Sequence, residues 1–230
     1  MLFRRVGALR ATWLLCACSA LAASAAAQVS GKLVLGAYKP APVVAKRPSC
    51  NWELENGFKE VRHDRVDARR ELAVVLLGEG EPKGLDRIEV TFSGGGLLPS
   101  TIVVRSGATL LIRNDDEFAH ELYADGLEGF SAEAISPRGR RSVEIKRPGS
   151  WPLHDKVISH VTGQLHALPD LIAVGTVDAE GQYTFKDVQP GKYVLKVLHG
   201  DKELVAQQVE VGSRPLSVNP IALTQSPATK

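Results

Sequence analysis

The chain has 230 residues, three cysteines and a formal net charge of +2. Its first 27 residues contain three arginines and no acidic residue, so the 28 basic residues fall to 25 against 26 acidic ones beyond that point. A chain so close to neutral is not expected to bind nucleic acid through a general electrostatic field. Its length suffices for one large or two small hydrophobic cores.

The N-terminus has the pattern of a secretory signal peptide. Arginines 4, 5 and 10 precede a short apolar region at residues 12–23, and a run of alanines ends at Ala27. The apolar region is shorter than the roughly 20 residues that a membrane-spanning helix needs. We therefore expect a chain that is cleaved after Ala27, is periplasmic or secreted, and does not span a membrane.

The cysteines argue against both a lipid anchor and a disulfide framework. A lipoprotein interpretation at Cys16 or Cys18 leaves little apolar sequence before the cysteine, so no lipid anchor is expected. Cleavage of the signal peptide would remove Cys16 and Cys18. Cys50 would then be the one remaining cysteine, and it could form no internal disulfide. Its position beside Trp52 favours a small buried residue, with an intermolecular bridge as the alternative.

A strand pattern at residues 97–126 runs into a polar loop that carries one histidine. Apolar residues alternate over 101–105, Ser106 and Gly107 interrupt them, and the pattern resumes until Asn114. This spacing predicts a hairpin that delivers His120 to one end of a sheet.

The same stretch, L-P-x-x-I-x-V-x-x-G-x-x-L-x-x-x-N-D-D-x-x-x-H, resembles the first half of a cupredoxin of the methylamine-utilisation or plastocyanin type. The resemblance implies a Greek-key β-sandwich in which His120 is the first copper ligand. If His160 is the second histidine, the position of the copper thiolate holds Val157, and the chain has no methionine besides Met1. Because a blue-copper site needs that thiolate, electron transfer through such a site is not expected.

A metal site without a thiolate is the alternative. Imidazoles suit Cu(II) or Zn(II), and a carboxylate such as Asp116 or Glu121 could complete the site. The candidate metal ligands are His120, His154, His160 and His166. The interpretation that we favour is a scaffold without cofactor, in which these histidines are satisfied by protein groups. His63 and His199 lie in other segments, and packing is the expected role of His199.

The C-terminal part carries a second resemblance. The string D-x-x-G-x-Y-x-F-x-D-V-x-P-G-x-Y-x-L-x-V, which begins at Asp178, resembles the carboxypeptidase-regulatory-like module, a transthyretin-like sandwich also grouped with carbohydrate-binding-like folds. Its fold makes carbohydrate binding a further hypothesis, by analogy alone. The aromatic residues that could form a sugar platform are Tyr183, Tyr193 and Trp151, although alternating strands more often bury such rings.

The module normally begins with two strands, and the sequence directly upstream of Asp178 does not match them. Residues 31–38 and 72–77 do match them. We therefore predict that the cupredoxin-like domain is inserted into a split sandwich, with two domains in succession as the alternative. The predicted segments are a signal peptide at 1–27, the first part of the sandwich at 28–85, the cupredoxin-like domain at 86–168, the second part at 169–225, and a tail at 226–230.

The remaining patterns point away from catalysis. The chain lacks H-E-x-x-H, G-x-S-x-G, C-x-x-C and phosphate-loop motifs, and the glycine run 94–96 is interpreted as a hinge. A basic cluster favours a solvated sheet edge, with a surface for an anionic partner as the alternative; its members are Arg138, Arg140, Arg141, Lys146 and Arg147. We expect an all-β, non-catalytic protein of the bacterial envelope with a structural or ligand-binding role, its partner being an envelope protein or a glycan.

Overall fold

The computed structural model describes residues 26–36, 38, 66–82 and 84–223. The predicted all-β class is confirmed, since this part of the chain forms strands and one turn of helix. Several features of the sequence analysis lie outside the described residues. They are the region before residue 26, the proline-rich run 39–49, Cys50 and His63. The predicted cleavage point after Ala27 falls at the first residue of the first strand.

The elements follow the chain in this order. They are β1 (Ala27–Val34), α1 (Ala68–Glu71), β2 (Leu72–Gly78), β3 (Arg87–Ser93), β4 (Gly96–Leu98), β5 (Thr101–Arg105), β6 (Thr109–Asn114), β7 (Leu122–Ala124), β8 (Arg140–Glu144), β9 (Gly149–Asp155), β10 (Thr162–Leu168), β11 (Leu171–Val174), β12 (Thr176–Val177), β13 (Gln182–Val188), β14 (Gly191–His199), β15 (Lys202–Val211), β16 (Leu216–Ser217) and β17 (Ile221–Ala222).

These strands form four sheets that enclose two main cores. The first sandwich has the sheets β12-β13-β1-β16, where β17 also pairs with β1, and β11-β2-β14-β15. The second has the sheets β5-β10-β9-β7 and β4-β3-β6-β8. Because β5 and β6 lie in different sheets, the predicted hairpin is wrong. The chain leaves the first sandwich after β2 and returns to it at β11.

The strand β2 explains how the two sandwiches meet. Its residues 72–77 are all buried because both faces are covered. One face, with Val74 and Leu76, packs in the first core, whereas the other contributes to a cluster that includes Val103 of β5. A continuous apolar run, with no alternation, is typical of a strand buried on both sides.

Hydrogen bonds join the sandwiches beside that cluster. The Thr101 hydroxyl donates to the Glu71 carbonyl at 2.5 Å and accepts from the Gly200 amide at 2.8 Å. His166 Nε2 lies 2.7 Å from the Gly200 carbonyl oxygen, so its imidazole belongs to this junction. These hydrogen bonds and the apolar cluster together join the second sandwich to the first.

The glycine run is a tight turn and not the expected hinge. Gly94 and Gly95 connect β3 to β4 with φ angles of 63° and 73°. Both values lie in the left-handed region that glycine adopts without steric cost. The turn directs two consecutive backbone amides toward the end of the second sandwich, where they bind a carboxylate.

Candidate functional site

The loop that leads to His120 is organised by a buried asparagine. Asn114, the last residue of β6, has no exposed surface. Its side-chain nitrogen donates to the carbonyl oxygens of Phe118 at 2.8 Å and Ile135 at 2.9 Å, and its side-chain oxygen accepts from the Asp116 amide at 3.0 Å. These bonds fix the turn of the N-D-D sequence and set the direction in which the following histidine points.

Asp116 sits in a cradle of backbone amides. Its two carboxylate oxygens accept hydrogen bonds from Gly94 at 2.6 Å and from Gly95 at 3.0 Å. Successive amides of this kind form a small anion-binding concavity. The β3–β4 turn therefore holds the Asp116 side chain, which is 8% exposed, against the histidine.

His120 is enclosed completely. Its exposed fraction is 0%, and the Phe92 ring stacks on it with a centroid separation of 3.8 Å and an interplanar angle of 3°. Nε2 lies 3.1 Å from the Asp116 carboxylate, and Nδ1 lies 2.6 Å from the Asp155 carboxylate. The backbone of His120 also pairs with Ile135. Both nitrogens of the ring are thus engaged by protein oxygens.

Asp155 reaches the histidine from the end of β9. Its Oδ2 contacts His120, while Oδ1 accepts from the Val157 amide at 2.7 Å and the Ile158 amide at 3.0 Å. These two bonds form the turn that starts the β9–β10 loop, a role that aspartate commonly takes. One side chain therefore closes the loop and holds the imidazole.

The hydrogen-bonding capacity of the His120 imidazole depends on whether it is protonated. A neutral imidazole carries a single N–H and can donate to one carboxylate only. An imidazolium donates from both nitrogens, so that His120 satisfies Asp116 and Asp155 at once. Because each aspartate also accepts amide hydrogen bonds, all polar atoms of this buried group then have partners.

These residues do not fit the copper site that the cupredoxin resemblance implies. A copper ligand needs a ring nitrogen with a free lone pair, whereas both nitrogens of His120 face carboxylates. Val157, where the resemblance placed the thiolate, is 54% exposed, and the side chain from β9 that meets His120 is Asp155. The sequence reasoning missed Asp155; the available signal was an aspartate at a strand end.

The other candidate histidines do not join His120. His154 faces Tyr123 at a ring separation of 5.8 Å, and His160 is exposed in the β9–β10 loop. His166 contacts Ser150, five residues before Asp155 on β9, so roughly 16 Å separate these two points along the strand. Within residues 66–82 and 84–223, no three His, Cys, Asp or Glu side chains are placed to hold a metal ion.

His160 instead borders a groove between the two sandwiches. This groove has a volume of about 610 Å³, which lies within the range of small-molecule sites. On one side it is lined by Asp67, Arg70 and Glu71 near α1, and on the other by His160 and Thr162. The β4 residues Leu97 and Leu98 supply apolar surface.

A second histidine cluster stabilises the first sandwich. His199 Nδ1 lies 2.6 Å from the Tyr38 hydroxyl, and Nε2 lies 3.3 Å from the Glu71 carboxylate. Burial raises the pKa of Glu71, but hydrogen bonds from His199 and the Asp67 amide, with nearby positive charge, lower it overall. Burial and the Glu71 charge raise the pKa of Tyr38. The expected packing role of His199 agrees with these contacts.

The aromatic candidates for a sugar platform are mostly internal. Tyr183 and Tyr193 are 1% and 5% exposed and belong to the first core. Trp151 is half-buried, and the Arg147 guanidinium lies 5.7 Å from its ring centroid. The two tyrosines offer no surface on which a sugar could stack.

Two members of the basic cluster have structural contacts. Arg141 donates to the carbonyl oxygens of Leu122 and Ser131 and lies 5.3 Å from the Phe130 ring centroid. Arg147 donates to the Gly126 carbonyl oxygen. Both guanidinium groups therefore bind β7 or the segment that follows it, and these donors are engaged within the protein.

Comparisons with known proteins give a likeness in structure alone. No protein-family model and no curated protein matches the chain. Amicyanin from Paracoccus versutus is similar over 36% of this chain and 81% of its own, with 16% identity and a TM-score of 0.33. A purple cupredoxin from Nitrosopumilus maritimus is similar over 34% of this chain and 97% of its own, with 14% identity and a TM-score of 0.31. In the described part of the chain, no helix has the length and apolar character to cross a membrane.

Proposed function

We propose that this protein is an exported, non-catalytic scaffold in which the second sandwich serves binding or architecture instead of electron transfer. The observation that supports this proposal is the hydrogen bonding of His120, whose two nitrogens meet Asp116 and Asp155. An imidazole held in this way closes the end of the sandwich. Export is inferred from the signal-like N-terminal sequence.

The energetics of the cluster favour a structural role. Removing one partner from a buried ion pair costs about 3–5 kcal/mol, because the other charge is left uncompensated in a poorly solvated site. A metal ion at His120 would have to displace one aspartate and leave its charge beside the Phe92 ring. The same side chains cannot both hold the loops together and offer a free ligand.

Copper or zinc handling through a histidine-only site is the competing function. It would require His120 to release a carboxylate and His160 to leave the groove and approach it. Neither movement is favoured by the contacts described above, because Asp155 is bound by the amides of Val157 and Ile158 on the very loop that carries His160.

Calorimetric titration of the purified protein with Cu(II) and with Zn(II) tests the proposal. We expect no stoichiometric binding that depends on His120 and His160. Two double variants locate any binding that is seen: His120→Ala with His160→Ala, and the matched control His154→Ala with His166→Ala. Circular dichroism confirms that each variant is folded.

Stoichiometric binding that disappears in the first double variant and persists in the control would contradict the proposal and favour metal handling. Binding that is equal in both variants would reflect surface groups and would agree with a structural His120.

A further inference from the structure

The longest strand among the described residues lies at the edge of a sheet. β15 has ten residues and, among the described residues, pairs with β14 alone. Its residues 206, 208 and 210 are exposed. A long edge strand presents a row of backbone donors and acceptors to any other strand, and proteins normally shorten, charge or cover such edges.

The middle of this edge carries no charged residue. The segment 204–209 is Leu-Val-Ala-Gln-Gln-Val, and the nearest charges are Glu203 and Glu210. Lys202 and Glu203 stand beside a bulge where the register with β14 shifts. The edge is therefore protected at its two ends and open in its centre.

Three side chains in the middle of β15 extend the first core as far as the edge of the sheet. Val205, Gln207 and Val209 lie opposite Val197, Leu195 and Tyr193 of β14, all three of which are in that core. Directly opposite residues in antiparallel strands share a face. The three β15 residues thus face inward, yet each is only half-buried. Another strand alongside β15 would complete their burial.

The inward row is symmetric about its central residue. When β15 is paired antiparallel with a second β15 around a two-fold axis at Gln207, each Val205 lies opposite a Val209. The two Gln207 side chains then face one another, and each amide can donate one hydrogen bond and accept one. A two-fold interface requires one patch that is complementary to itself, and this row meets the requirement.

The two neighbouring registers are less favourable. A two-fold axis at Ala206 places Val205 opposite Gln207, and an axis at Gln208 places Val209 opposite Gln207, so that in each case a valine loses its apolar partner. A shift by a single residue would point the inward row of one copy at the outer face of the other. The axis at Gln207 is therefore the register that the side chains select.

We propose that two copies of this chain associate through β15, in antiparallel register around Gln207, to make a continuous sheet of eight strands. This interface is separate from the His120 cluster and from the role proposed for it. The partner is a second copy because the inward row pairs like with like across the axis, and the uncharged centre lets two identical strands approach without repulsion.

Sedimentation velocity of the purified protein over a wide range of concentrations tests this proposal. We expect a concentration-dependent dimer. Gln207→Lys places two positive charges opposite each other at the axis and should raise the dimer dissociation constant at least about tenfold. Gln208→Lys adds the same charge one residue away on the outer face and should leave the constant nearly unchanged.

Cysteine cross-linking tests the register. In a chain whose three native cysteines are replaced by serine, Gln207→Cys should form an intermolecular disulfide on mild oxidation, since directly opposed strand residues lie within disulfide distance. Ala206→Cys should not, because its counterpart is displaced along the strand. A protein that is monomeric at every concentration, a Gln207→Lys dimer as tight as the wild type, or cross-linking through Ala206→Cys instead of Gln207→Cys would overturn the proposal.

Discussion

His120 Nδ1 lies 2.6 Å from the Asp155 carboxylate, and neither side chain has any surface exposed to solvent. The contact joins the loop after β6 to the loop after β9, across the end of the second sandwich. The Asp116 carboxylate contacts the other ring nitrogen of His120, Nε2. A buried histidine–aspartate cluster therefore occupies the position at which the cupredoxin resemblance implies a copper ligand.

Replacing Asp116 should cost much more stability than replacing the residue beside it. Asp116→Asn removes a charge that His120 and the amides of Gly94 and Gly95 require, and we expect a loss of about 3 kcal/mol in the free energy of unfolding. Asp115→Asn is the matched control, because that side chain is exposed and pairs with Arg113; it should change stability by less than about 0.5 kcal/mol. Urea denaturation measures both, and equal losses would argue against the role of Asp116.

Two tyrosines of the first core should respond in opposite ways to loss of the hydroxyl. The Tyr183 hydroxyl is buried with no partner in the described residues, and burial raises its pKa to about 12. Tyr183→Phe should therefore be neutral or stabilising. The Tyr193 hydroxyl donates to the Gln189 carbonyl oxygen at 2.8 Å, so Tyr193→Phe should cost about 1 kcal/mol. Thermal or urea unfolding compares them, and a larger loss for Tyr183→Phe would show that its hydroxyl has a partner.

Low pH should reduce the free energy of unfolding, in part because Glu71 becomes protonated. Its pKa is lowered in the folded state, so the folded chain loses the Glu71 proton at a lower pH than the unfolded chain does. The resulting stability is present above the unfolded pKa, about 4.3, and is lost as the pH falls through the folded value. Glu71→Gln should flatten this acid limb of the curve of unfolding free energy against pH.

The matched control for that experiment is Glu79→Gln, since Glu79 is exposed just beyond β2. The side chains that face Glu71 are His199 and Tyr38, with Arg70 and Asp67 nearby, and all four are retained in both variants. Identical acid limbs for Glu71→Gln and the wild type would show that Glu71 contributes nothing to acid sensitivity.

Local sequence patterns located several strands, because burial on one face produces alternation and burial on both faces produces a continuous apolar run. The run at 72–77 coincides with β2, and the pattern that resumes after Gly107 coincides with β6. The turn motif after Asp178 likewise precedes β13. In each of these segments the side chains that decide burial are neighbours in sequence.

The site could not be read in the same way, because its contacts join distant residues. Asp116 and His120 are four residues apart, and Asp116 was recognised as a carboxylate near the histidine. Asp155 is 35 residues from His120, and its role depends on where β9 ends. The four histidines were candidate ligands of one metal site, but His166 lies within β10, and His154, next to Asp155 in β9, faces Tyr123.

The role of the glycine run likewise depends on a residue that is distant in sequence. Three consecutive glycines indicate conformational freedom, and a hinge was the natural interpretation. The structure uses that freedom to place Gly94 and Gly95 in the left-handed region, so that their amides bind Asp116. Only the position of the carboxylate, 21 residues further along, distinguishes a hinge from an anion cradle.

The free-energy coupling between His120 and Asp155 is the measurement that tests the structural role of His120 most directly. A double-mutant cycle with His120→Gln and Asp155→Asn, followed by urea denaturation in the presence of a chelator, gives this coupling without any contribution from metal. We predict a coupling of about 1–3 kcal/mol, because the two side chains are buried and hydrogen-bonded to each other. A coupling below about 0.5 kcal/mol, or a wild-type protein that loses stability when the chelator is added, would contradict the account.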